Sequence, residues 1–261
     1  MTVDGHVNYY AVSLAIAVCS MLPFVLAFEG RKPQARELVV IAVMVAIIVV
    51  SRAAFFMLPH FKPAVAIVII AGAALGAQSG FVCGALAAFV SNFLFGQGPW
   101  TPWQMLALGL IGCLSGLVFS GAARLRRPRP GLPGLPGLPG REEGAFASVR
   151  ARKRAERLRT AALCAFGFLI TFALYGLLLD TAAVAIFSSG IQGEALIATY
   201  AAGIPLNLVH AAGTAVFLAV FARPMIEKLE RVRVKYGLYG GRAAGCRPYS
   251  GRGKPRPYGG R

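Results

Sequence analysis

Apolar runs long enough to cross a membrane recur along the chain, separated by short polar or basic stretches. Asn8–Phe28 is the first. Asp4 precedes it and Arg31 and Lys32 follow it, the reverse of a cleavable signal peptide, so it reads as a retained helix with its N-terminus outside. Glu37–Leu58 is the second. Ala64–Phe95 is apolar for 32 residues. One helix of that length would measure about 48 Å at 1.5 Å per residue, against a hydrocarbon core of roughly 30 Å. The pattern therefore predicts two short helices with a break at Ala77-Gln78-Ser79-Gly80. Trp103–Ala123, Thr160–Leu179 (closing at Asp180) and Thr199–Ala222 complete the set. The prediction is seven spans, N-terminus out and C-terminus in.

Composition supports a membrane class, with 57% hydrophobic and 14% charged residues. The net charge of +17 would point to nucleic acid if it were spread over a soluble surface. Instead 11 of the 27 Lys and Arg fall in Arg124–Arg159, 11 in Arg223–Arg261 and three at Arg31, Lys32 and Arg36. That clustering follows the positive-inside rule and makes these segments cytoplasmic, with anionic lipid as their neighbour and no nucleic acid implied. Only Arg52 and Lys62 lie elsewhere. Arg52 falls deep in the second span, where a cation either snorkels to the headgroups or serves a function. The ten acids include none deep in a span, and the five cysteines show no metal-ligand spacing.

The linker Gly131–Gly140 reads GLPGLPGLPG and predicts an extended, polyproline-like segment. Phe146–Arg159 is basic and predicts a helix lying on lipid. The tail past Tyr236 is basic and rich in Gly and Tyr, and reads as partly disordered. The resulting division is 1–35 for the extra helix and turn, 36–123 for four core helices, 124–159 for the basic loop, 160–222 for two more core helices, and 223–261 for the tail.

No catalytic constellation or phosphate-cradling loop is present, so the chain reads as a non-enzyme that needs neither metal nor cofactor. Self-powered transporters use midplane carboxylates or broken helices, and no acid lies at such depth in this pattern. Candidate chemistry gathers instead at Asn92–Gln104, NFLFGQGPWTPWQ, which holds both tryptophans. An indole pair at a helix end serves either as an interfacial anchor or as the aromatic lip of a pocket. In the last span Asn207 and His210 stand three apart, on one face, as structural hydrogen-bonding groups or as ligand contacts. Ala42 and Ala46 stand four apart on one face of the second span, a spacing that lets another helix approach closely.

Arg36–Leu125 resembles the substrate-binding (S) component of energy-coupling-factor (ECF) vitamin transporters. The residues that carry the resemblance are ARELVVIAVMVAI, with Ala42-xxx-Ala46, and the run from Phe61 to Met105, FKPAVAIVIIAGAALGAQSGFVCGALAAFVSNFLFGQGPWTPWQM. Within that family the GQGPWTPWQ wording is most similar to cobalamin-type S components. The resemblance implies an all-α membrane protein: a six-helix S-component-like bundle with one extra N-terminal transmembrane helix. It implies a bacterial cytoplasmic membrane and capture of a vitamin from outside, with cobalamin or another corrinoid as the substrate. The partners it implies are a coupling transmembrane subunit, docked through Ala42 and Ala46, and two cytosolic ATPases. By position, the ligand contacts it implies are Phe56, His60, Asn92, Gln97, Trp100, Trp103, Gln104, Asn207 and His210. A flavin or modified base is the alternative ligand, and a scaffold working through the basic loop and tail is the alternative role.

Overall fold

The computed structural model describes residues 35–125, 141–187 and 193–235 throughout, and part of the first 30. Apart from a small antiparallel pair, β1 (Thr2–Val3) with β2 (His6–Val7), the described elements are helical. They are α1 (Ala35–Ala54), α2 (Ala64–Leu75), α3 (Ala77–Phe95), α4 (Thr101–Leu125), α5 (Arg141–Ile170), a π-helical turn (Thr171–Tyr175), α6 (Gly176–Phe187) and α7 (Gly193–Lys235). Five stretches are long and apolar enough to cross a membrane, and α2 is a shorter apolar helix. The chain is an all-α membrane protein.

α2 forms the centre of the bundle. Its 12 residues, AVAIVIIAGAAL, are all buried. A helix that is apolar all round has no face to offer water, so it is enclosed by its neighbours. Around it pack α1, α3, α4, α5 and α7. At about 18 Å by its rise per residue it is too short to span a bilayer alone. Pro63 leads into it with φ −76°, the angle its ring fixes.

The break in the long apolar run falls at Gly76, one residue before the predicted site, and Gln78, Ser79 and Gly80 belong to α3. Gly76 takes φ +99°, a conformation that excludes side-chain-bearing residues, and this decides where the chain turns. α3 and α4 then approach backbone to backbone. A Cβ on Gly80 would run into the Gly112 carbonyl and the Gly72 Cα, and a Cβ on Gly112 would run into the Gly80 carbonyl. Gly112→Leu is therefore expected to separate α3 from α4 and destabilise the bundle by roughly 1–3 kcal/mol or more. Thermal unfolding of the detergent-purified variant, followed by loss of the monodisperse peak, measures this.

Three further boundaries differ from the sequence pattern. Helical structure continues past Asp180 to Phe187, which puts that acid inside a candidate span, Arg154–Phe187. α7 runs from Gly193 to Lys235, beyond both predicted ends, and carries Pro205 and Pro224 within it. The basic segment Phe146–Arg159 is no separate surface helix, because α5 runs through it unbroken from Arg141. Its base is tied to α7 by ion pairs, Arg223 to Glu156 at 3.2 Å and Arg159 to Glu230 at 3.5 Å. Of the predicted span Asn8–Phe28, the described residues Leu14, Val18, Cys19, Leu22 and Leu26 are helical and exposed, while Met21 packs in a cluster with Phe81, Ala85, Leu106 and Cys113. Ala11 and Ala15 are helical and half-buried. The remaining residues of that span, the Gly131–Gly140 linker and the tail past Lys235 lie outside the described residues.

Candidate ligand-binding site

Between the end of α1, the turn Phe55–Pro63 and the facing helices lies a cavity of about 370 Å³. α1 and the turn supply Arg52, Phe56, Pro59, His60 and Lys62. α2 gives Ala64 and Val65, α4 gives Gln104 and Leu108, and α7 gives His210. Tyr175 and Leu179 come from the π turn and α6. A π turn inserts one extra residue into the helical register, and such turns are frequent at functional sites. Here it ends on Tyr175, whose ring stands 4.9 Å from that of His210.

The polar wall is cationic. Arg52 donates a hydrogen bond to Ser91 Oγ, and its guanidinium carbon lies 5.4 Å from the Phe95 ring centre. Lys62 Nζ lies 5.9 Å from the same ring. Phe95 in turn stacks on Phe56 at 5.2 Å. The two cations thus share one aromatic platform. Partial burial, and then the Arg52 charge, lower the Lys62 pKa below its ordinary 10.5. His60 adopts φ +59°, uncommon for a residue with a side chain, and a strained backbone of this kind is often found at binding sites. Its ring stands 6.3 Å from that of His210. His210 is 8% exposed and its Nε2 is buried without a hydrogen-bond partner. Among the described residues that line it, none is an acid. Among the described residues no three His, Cys, Asp or Glu side chains gather as a metal site.

Of the nine residues expected at the ligand, Phe56, His60, Gln104 and His210 line this cavity. The other five have different surroundings. Asn92 is buried and donates from Nδ2 to Thr101 Oγ1 and to Gln104 Oε1, both at 3.0 Å. It holds a lining residue rather than the cavity itself. Gln97 folds back, donating to the Phe89 carbonyl at 3.2 Å and accepting from Thr101 Oγ1 at 2.9 Å. Trp100 lies over Gly98 and is partly exposed. Trp103 packs against Ala182, with Leu178 and Ile186 beside it, and its Nε1 is buried without a partner. Asn207 Nδ2 donates to Asp180 at 2.9 Å, joining α7 to α6.

The Trp-rich loop is thus organised around Thr101, a residue the sequence reading passed over. Its hydroxyl accepts from Asn92 and from the Gly98 N–H at 3.2 Å, and donates to Gln97. Pro102 follows it in the first turn of α4, where a missing N–H costs nothing. Thr101→Ala should strand buried partners at a cost of about 1–3 kcal/mol. A drop in the thermal midpoint of the purified protein, with membrane insertion unchanged, is the expected result. Arg52, Lys62, Tyr175, Leu108 and Leu179, with Pro59, Ala64 and Val65, complete the cavity beyond the expected set. Arg52 was visible in the sequence as a misplaced cation, whereas Tyr175 carried no signal, because the π turn that presents it has no sequence signature.

α1 has a second side. Ile41, Met44, Val45 and Ile48 pack inward, while Ala42 and Ala46 are exposed on a strip with Leu38, Val39, Val43, Ile47 and Val50.

Residues 32–127 match a family model described as the ECF-type riboflavin transporter, S component. The match takes in α1 to α4 and covers well under half of the chain. No curated protein and no solved structure gives a match.

Proposed function

We propose that this protein is the substrate-capture subunit of an ECF-type vitamin transporter, and that its ligand is a flavin-sized aromatic vitamin bound in the cavity between α1, α4, the π turn and α7. The observation that carries the reading is the cavity itself. It is built largely from the matched segment, lies at one end of the bundle, and sets rings (Phe56, Tyr175, His60) beside hydrogen-bonding groups (Gln104, His210). Small-molecule pockets have this make-up, an apolar wall with a few convergent polar groups, and volumes of about 300–1,000 Å³.

The riboflavin of the matched family's description fits this size. A corrinoid is far larger and would have to rest mostly outside, on the loop formed by Gln97 and Trp100. Gln97 is hydrogen-bonded to Phe89 and Thr101, Trp100 lies over Gly98, and neither lines the cavity.

Capture needs no catalytic group. Transport would draw its energy from a coupling membrane subunit and two ATPases, with the Ala42–Ala46 strip of α1 as the docking face. Small side chains there let a partner helix come close. In this reading the cavity end faces outward and the basic ends of α5 and α7 face the cytoplasm, as their Lys and Arg content requires.

A bacterial strain that cannot make riboflavin, supplied with the coupling module, tests the role. Expression of this chain should permit growth on low external riboflavin. Growth no better than the empty vector, with the protein present in the membrane, would contradict it.

A further inference from the structure

The cavity holds more positive charge than an uncharged vitamin can use. Arg52 and Lys62 stand on the Phe95 ring, and among the described residues neither meets a carboxylate. Among the described residues Arg52 bonds only a neutral serine hydroxyl, that of Ser91. Asp180, whose carboxylate interacts with His60, is taken up by Asn207 and is not part of the cavity wall. Two like charges so placed repel each other, and each gives up part of its hydration. Beside them the buried Nε2 of His210 waits for a partner. A buried polar atom without a partner costs stability until something bonds it. An anion placed between these groups answers all three at once. It neutralises the cation pair, accepts from the guanidinium fork, and accepts from imidazole when that nitrogen carries a proton.

We propose that the ligand selected by this cavity carries an anionic oxygen group, a phosphate or a carboxylate, seated between Arg52 and Lys62 within reach of His210. The inference rests on the capture reading for the location of the site, but not on the flavin assignment. The apolar wall of Phe56, Leu108 and Leu179 takes the rest of the molecule.

Two assays on the full-length, detergent-purified protein test it. The first is calorimetric titration with riboflavin and with riboflavin 5′-phosphate. The phosphate ester should bind at least tenfold more tightly. Lys62→Gln should remove most of that preference, lowering affinity for the ester far more than affinity for riboflavin. In the unmodified protein, added salt should weaken the ester more than riboflavin, which keeps the test open if a variant fails to fold. Equal affinity for the two flavins would overturn the proposal while leaving the capture reading in place.

The second assay uses anions alone. Pyrophosphate and citrate, as probes for phosphate and carboxylate, are added during thermal unfolding. Stabilisation by either, lost in Lys62→Gln, supports the anion site even if neither flavin binds, an outcome that would remove the flavin assignment alone. Stabilisation by neither, or stabilisation unchanged in Lys62→Gln, overturns the anion site.

Discussion

Replacing Ala42 and Ala46 together with tryptophan should abolish ATP-driven vitamin uptake and leave ligand affinity within about twofold of the unmodified protein. Both positions are exposed on α1, on the side away from the inward-facing Ile41, Met44, Val45 and Ile48. Two indoles there would touch lipid without disturbing the interior. They would hold a partner helix away by the width of a ring, and close helix packing in lipid depends on the absence of such bulk. The cavity begins at Arg52, more than a turn beyond Ala46, so it should not feel the change. Uptake into proteoliposomes containing the coupling module, paired with titration of the purified variant, separates the two effects. Intact uptake would move the docking face elsewhere. Loss of binding together with uptake would show that α1 transmits the change to the cavity.

His210→Phe should weaken ligand binding at least tenfold. His210 is the most enclosed polar group of the cavity, and its buried Nε2 has no hydrogen-bond partner. Phenylalanine keeps the ring against Tyr175 and Phe-sized packing on α7, but removes the nitrogen. A ligand group that loses such a partner while remaining desolvated loses about 1–3 kcal/mol, and 1.4 kcal/mol is tenfold. Titration of the variant measures the loss, with an unchanged thermal midpoint as the control for folding. Gln97→Ala is the contrasting case. Its side chain bonds Phe89 and Thr101, so the change should loosen the loop and alter affinity only slightly. A large affinity loss in Gln97→Ala with none in His210→Phe would restore the Trp-rich loop as the ligand lip and remove the cavity from that role.

The residues that were legible in the sequence, and those that were not, follow a physical pattern. Apolar length and charge placement are additive properties, so the helical spans could be read directly. The break in Ala64–Phe95 was required by length alone. Its position at Gly76 depended on which glycine takes a positive φ, and Gly72, Gly76, Gly80 and Gly84 look alike in a string. Asp180 read as the polar end of a span because its partner, Asn207, lies 27 residues away, and only that pairing explains an acid inside α6. Phe56 and His60 line the cavity because a turn between two spans lies at one end of the bundle. Asn92 and Trp103 were on suitable helices but faced neighbouring helices, and rotation about a helix axis is set by packing. The tryptophans drew attention by rarity, whereas Thr101, which holds their loop together, is an ordinary residue whose role exists only in three dimensions.

The measurement that bears most directly on the capture reading is titration of the protein, purified alone without any coupling subunit, with riboflavin, riboflavin 5′-phosphate and cobalamin in parallel. The account predicts one-to-one flavin binding with a dissociation constant below about 1 μM, near −8 kcal/mol, with cobalamin much weaker. Tight cobalamin binding without flavin binding would keep the transport role but contradict the cavity as its site. A folded protein that binds none of the three would contradict the account at its centre.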